Sequence, residues 1–253
     1  MQNKNFVISL QKGLDVLTCF GRQNGRLTVS EVSRLTDVSP ASARRSLLTL
    51  QTMGYLDSDS KYFWMLPRCL LVAHAYLASR PTPSLAQPLL DALSERTRES
   101  ASLGALIDDD AIIIARSTAR RSLSTGLGIG SRLPVYCSAM GRVLLASMAP
   151  EEAGRRVHGM PRPQLTTGTV VDASQVLTLV ERCRVDGYAT SDGELEIGVR
   201  SMAVPVFDRA GITVGAMSIA VRAERMTMVD FREAFLPTLQ RARTTLATRL
   251  FTP

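Results

Sequence analysis

Apolar positions along the first third of the chain recur at helical spacing and are punctuated by cap and stop residues. From Ser9, the residues Leu10, Leu14 and Leu17, with Val16 and Phe20, fall at the spacing of a helix that Ser9 is placed to cap and Gly21 to stop. Thr28 stands three residues before Glu31, the spacing of a capping box, and Val29, Val32 and Leu35 then predict a short helix over about 29–36. Asp37-Val38-Ser39 makes a turn, Ser39 is the next N-cap and Pro40 takes the first helical position. Ala43, Leu47, Leu50 and Met53 supply the buried face of this third helix, which ends before Gly54. Tyr55-Leu56-Asp57 and Tyr62 to Leu66 are strand-like runs flanking the polar Ser58-Asp59-Ser60-Lys61, a hairpin pattern. Three helices followed by a hairpin describe a winged helix-turn-helix over residues 1–66.

Pro67 opens a further helix with Leu70, Leu71, His74 and Leu77 at its spacing, closing at Arg80-Pro81-Thr82-Pro83, which makes 67–82 a linker helix. A second domain, 83–253, starts with an amphipathic helix over 85–99. Strands follow at 102–107 and 111–117 across the turn Asp108-Asp109-Asp110, with a third run at Leu123 to Leu127. Helices at 138–147, 173–186 and 228–250 and strands near 188–191, 201–208 and 213–220 complete it. Antiparallel strands with flanking helices make the fold class α+β.

Charge sharpens this division. The 253 residues carry 30 basic and 23 acidic side chains, a net +7, and ten of the basic against five of the acidic lie before residue 81. A small basic module attached to a near-neutral larger one points to nucleic acid. With 45% hydrophobic residues the chain can bury a sizeable core. Its longest apolar stretches, such as Ala111 to Ala115, are far short of the ~20 residues a membrane helix needs. The N-terminus shows no apolar signal region. Cysteines 19, 69, 137 and 183 have no metal or redox spacing, so neither a disulfide framework nor a zinc site is expected, and the chain reads as cytoplasmic with no cofactor.

The positions of the third helix expected to face outward are Ala41, Ser42, Arg44, Arg45 and Thr49. Small residues at its start let the helix end enter a major groove, and Arg and Ser supply donors for phosphates and base edges. Thr28 and Ser39 at two helix starts and Lys61 in the hairpin turn complete the candidate DNA-contacting set. Arg44 and Arg45 are adjacent and diverge by about 100°, so one faces bases and the other the backbone, in an order the sequence leaves open.

Several spaced segments resemble one family. The run Ser9 to Leu17, the helix-turn-helix at 28–53, Met53-Gly54-Tyr55-Leu56, Tyr136 to Ala146, and Gly187-Tyr188 through Asp192 to Val206 look like the IclR family of bacterial transcriptional regulators. Phe6 to Leu10, Ala43 to Leu47 and Thr118-Ala119-Arg120-Arg121 are most similar to the branch that controls aromatic-acid catabolism through the β-ketoadipate pathway. The resemblance implies a homodimer or dimer of dimers whose winged helices bind double-stranded operator DNA. It also implies a GAF-like C-terminal domain that binds a small organic acid. The pocket implied lies against Ser138, Ala139, Met140 and Gly141, where amides at a helix start suit a carboxylate. Asp192, Ser201 and Ser218 fall at polar pocket positions and Leu123 in the apolar wall, while the apolar Ala220 accommodates a larger apolar body. Arg121, or Arg116 on the neighbouring strand, is a further carboxylate partner.

A sensor-fold enzyme or a protein-interaction module is the alternative. Against an enzyme, His74 lies in the linker helix and His158 in a polar loop, and no Gly-x-Ser-x-Gly elbow occurs. The glycines at 126, 128 and 130 lead into Ser131 to Pro134 and not into a helix, which reads as a strand end and turn rather than a phosphate loop. The aspartates 108–110 read as a hairpin turn, with a metal site as the alternative. Asp192, Glu194 and Glu196 alternate and are expected to share one strand face.

Overall fold

The computed structural model describes residues 5–21, 24–118 and 126–250. Residues up to Ser79 form one compact unit and those from Arg80 a second.

The first unit contains α1 (Ile8–Thr18), α2 (Val29–Thr36), α3 (Pro40–Thr52), a hairpin of β1 (Leu56–Ser58) and β2 (Phe63–Met65), and α4 (Cys69–Ser79). At α2 the Thr28 hydroxyl accepts the Glu31 N–H, and the Glu31 carboxylate accepts the Thr28 N–H at 2.8 Å, a complete capping box. Ser39 caps α3 through the Ser42 N–H, with Pro40 at the first position. Val16, Phe20, Val32, Leu47, Leu56 and Phe63 form the centre of one core. Leu27 bridges to Phe63 and adds a short third edge to the hairpin. The Asp59 carboxylate accepts the N–H groups of Lys61 and Tyr62 at 3.2 and 2.8 Å and so fixes the hairpin turn.

Several sequence expectations change here. Ser9 lies inside α1, whose N-cap is Val7 with no side-chain cap. Of the expected α1 stripe, Leu10 and Leu14 are exposed, as is Met53 beyond α3. The helix expected from Pro67 begins at Cys69, none of its residues is buried, and Leu70 and Leu71 face outward. Pro81 opens the next helix at its first position instead of ending a linker.

The second unit is built on a six-stranded antiparallel sheet in the order β5-β4-β3-β8-β7-β6. Its strands are β3 (Ser100–Ile107), β4 (Asp110–Ser117), β5 (Arg132–Pro134), β6 (Ala189–Asp192), β7 (Val199–Phe207) and β8 (Thr213–Arg222). Two helices, α5 (Pro81–Thr97) and α9 (Met228–Leu250), cover one face through Leu90, Leu93, Phe231 and Leu239 against Leu103, Met202, Val204 and Met217. The other face carries α6 (Ala139–Ala146), with α7 (Pro150–Gly159) and α8 (Ala173–Asp186) outside it. Gly141 is what lets α6 lie so close: a Cβ there would stand 2.2 Å from Val135 Cα.

Neither β5 nor α7 is anticipated by the sequence reading, and His158 lies in α7 and not in a loop. The expected strand at Leu123 to Leu127 falls partly outside the described residues, and Gly126 and Leu127 are not in a strand. Asp192, Glu194 and Glu196 do not share a strand face. The strand β6 ends at Asp192, Gly193 turns at φ 66°, and Glu194 is carried into the interior.

Candidate DNA interface and ligand pocket

On α3 the side chains of Ala41, Arg44, Arg45 and Thr49 are exposed. Arg44 and Arg45 form no ion pair among the described residues. Ser42 departs from expectation: it is buried, because it lies on the face of α3 turned toward α1. The Thr28 and Ser39 hydroxyl oxygens cap α2 and α3, which fixes the two helix starts.

The hairpin shows a residue that the sequence reading passes over. The Arg26 guanidinium lies 4.4 Å from the centre of the Trp64 ring and 5.9 Å from that of Tyr62, and it pairs with Asp59 at 2.9 Å. Lys61 stands 5.0 Å from the Tyr62 ring centre. Two cations are thus held on an aromatic wing, a placement that stacking favours. Arg26 belongs to no periodic pattern, and only its place opposite the aromatic run Tyr62-Phe63-Trp64 signals the stacking.

In the second unit, a pocket of about 50 Å³ lies between α6 and the sheet. It brings together Ser138, Ala139, Met140, Ser201 and Ser218 from three separate segments of sequence, with Ala220 beside them. Ile113, Leu127, Leu133 and Val199 form its apolar wall, and Ser191, Leu195 and Glu196 also reach it, three that the sequence reading does not include. Ser138 Oγ accepts the Gly141 N–H at 3.1 Å and donates to the Pro134 carbonyl at 2.8 Å. The Arg142 N–H returns to the Ser138 carbonyl, so the N–H groups of Ala139 and Met140 are the open donors of the helix start.

Gly141 does not line this pocket; it serves the close approach to Val135. Asp192 is also absent from it, exposed and paired with Arg200 at 2.9 Å. Leu123 and Arg121 lie outside the described residues.

Arg116 is tied to the same sheet face. Ser102 is opposite Arg116 in β4 and opposite Ser218 in β8, so the three side chains form one cross-strand row. Arg116 donates from Nη1 to Ser102 Oγ at 2.7 Å, while its buried Nε has no acceptor among the described residues. It has no carboxylate partner among the described residues, and burial lowers its guanidinium below the usual value. Aspartates 108 and 109 form the β3–β4 turn, with Asp108 at φ 50°, and Asp110 pairs with Arg132 at 2.6 Å. Among the described residues no cluster of His, Cys, Asp and Glu could hold a metal ion, and no helix is long and apolar enough to cross a membrane.

A winged helix-turn-helix joined to an antiparallel α+β domain with a mostly apolar, serine-dotted pocket fits a DNA-binding transcriptional regulator. The chain belongs to the IclR family: residues 9–60 match the IclR helix-turn-helix domain and residues 74–247 the bacterial transcriptional regulator IclR C-terminal domain. It is 36% identical over 248 residues to the Pca regulon regulatory protein of Pseudomonas putida, covering 98% of this chain and 85% of that protein. A transcriptional regulator from Rhodococcus sp. RHA1 of known crystal structure is 38% identical with a TM-score of 0.80, over 97% of this chain and 98% of that one. The inducer-binding domain of the PobR transcription factor from Acinetobacter, a double mutant solved with 3-hydroxybenzoic acid, is 27% identical. Its TM-score is 0.62, over 65% of this chain and 97% of that one.

Proposed function

We propose that this regulator responds to a small aromatic carboxylic acid held in the serine-lined pocket, and that the acid changes its hold on operator DNA. The observation that carries this reading is the convergence on one cavity of the α6 start, whose Ala139 and Met140 amides are open, with the hydroxyls of Ser201 and Ser218. The carboxylate sits against the Ala139 and Met140 amides or reaches Arg116, whose Nε wants an acceptor. The PobR domain solved with 3-hydroxybenzoic acid supports the aromatic class.

DNA is held by Ala41, Arg44, Arg45 and Thr49 of α3, with Lys61 and Arg26 on the wing. Two winged helices are needed to read half-sites about one helical turn apart, and the exposed apolar residues Leu10, Leu14, Leu70 and Leu71 of the first unit are surfaces for pairing with a second copy. The segment 67–82 is the element that relays the ligand state, and it does so only if the acid prefers one arrangement of the dimer.

The test is a gel-shift titration with the DNA flanking the protein's own gene, alongside calorimetry with 3- and 4-hydroxybenzoate. The expected result is operator binding that the bound acid alters, lost in Arg44→Ala/Arg45→Ala, and acid binding weakened in Ser218→Leu. Equal acid affinity in wild type and Ser218→Leu would place the effector elsewhere.

A further inference from the structure

The second unit holds another cavity, of about 230 Å³, that shares no lining residue with the serine-lined pocket. Its walls come from α8 (Leu179, Arg182, Cys183, Asp186), from Tyr188 and the start of β6, and from Met228 and Arg232 of α9. Arg142 of α6 also reaches it, one turn beyond the residues of that helix that line the first pocket.

Most of the charges here are matched. Arg142 makes a two-point pair with Glu194, yet its buried Nε has no acceptor among the described residues. Arg182 pairs with Asp186 at 3.3 Å. Burial pushes the Cys183 thiol up to about 12, so it adds no negative charge. Arg232 forms neither an ion pair nor a hydrogen bond among the described residues. Among the described residues one positive charge is left over, beside apolar walls of Leu179, Met228 and the Tyr188 ring. A monoanion balances that charge, whereas a dianion would leave negative charge facing Asp186. Sites for drug-sized ligands begin at roughly 300 Å³, so the occupant is a smaller molecule.

We propose that this cavity is a second binding site, for a small monoanionic carboxylate with an apolar body, with Arg232 as its ion-pair partner and Leu179, Met228 and Tyr188 enclosing the apolar part. This goes beyond the effector reading of the first pocket and does not depend on it. Because α6 lends Arg142 to one cavity and Ser138 to Met140 to the other, the helix is a wall common to both.

The test is calorimetry of the full chain with benzoate on wild type, Arg232→Glu, Arg232→Lys and Ser218→Leu, with matched melting curves to confirm folding. Wild type should show two saturable sites per chain. Arg232→Glu should weaken one of them by about tenfold or more, Arg232→Lys should retain it, and Ser218→Leu should remove only the other. A single site per chain in wild type that Ser218→Leu removes would overturn the proposal and leave the effector reading intact. Two sites unchanged by Arg232→Glu would overturn it as well, as would no saturable binding. Loss in Arg232→Glu with none in Ser218→Leu would support this site and overturn the effector reading.

Discussion

Arg142 and Glu194 meet in a two-point ion pair at 2.6 and 2.5 Å inside the second domain, both side chains almost wholly buried. The Thr190 carbonyl accepts a further Arg142 N–H at 3.0 Å, and the Val170 N–H donates to Glu194. The pair ties α6 to the segment after β6. Removing one partner strands a buried charge, so Arg142→Ala or Glu194→Ala should cost about 3–5 kcal/mol in denaturant unfolding. The paired replacement Arg142→Met/Glu194→Leu should cost much less than the two single changes together.

Gly141→Ala puts a methyl group 2.2 Å from Val135 Cα and 2.5 Å from the Val135 carbonyl oxygen, where only backbone can give way. The helix start must shift. Loss of about 1–3 kcal/mol or more is expected, together with weaker acid binding at the serine-lined pocket. A variant with wild-type melting temperature and wild-type acid affinity would contradict this.

Glu99 is buried beside Arg225, and burial raises its carboxyl above the ordinary 4.5 although the Arg225 charge opposes the shift. The folded chain therefore keeps this proton to higher pH than the unfolded chain. Stability contributed by this site is full below 4.5 and is lost as pH rises through the raised folded value, beyond which the slope vanishes. Glu99→Gln should abolish that slope. Its unfolding free energy relative to wild type should improve as pH rises through this window and then stay constant.

Arg26 stacks on the wing and belongs to the set proposed to contact DNA. Arg26→Ala removes an exposed ion pair and a stacked cation, worth about 1 kcal/mol or less to folding. It should nonetheless weaken operator binding measurably and reduce the salt slope by about one. Arg26→Lys keeps the charge and should recover most of the slope while losing part of the affinity, because an ammonium stacks less well on Trp64. Identical salt slopes in wild type and Arg26→Ala would remove Arg26 from the DNA-contacting set.

The elements most legible in the sequence were those whose ends are written in local chemistry. Thr28 with Glu31, and Ser39 with Pro40, locate α2 and α3 almost to the residue, and the helical periods of α8 and α9 do the same. What periodicity cannot say is what covers a stripe: Leu10 and Leu14 carry the pattern of a core and lie exposed. The strand β5 is too short for a period to show. Pro150 with Glu151 and Glu152 does mark the start of α7, but the polar run behind it reads as a loop. For the pocket, the family motifs locate Ser138 to Met140, Ser201 and Ser218. Alternation alone misplaces Asp192 and Glu194, because their positions depend on the turn at Gly193 and on Arg142, 52 residues from Glu194, a contact no local pattern contains.

The place of β3 at the middle of the sheet has a consequence for synthesis. One of its two neighbours is β8, so the edge of residues 100–104 stays open until residues 216–220 exist. At ribosomal speeds of about 5–20 residues per second, that interval is roughly 5 to 20 s. Throughout it the β3–β4 hairpin presents an unpaired edge lined by Ala101 and Leu103. A chain cut before β8 keeps that edge unpaired, and such an open strand edge is a template for aggregation.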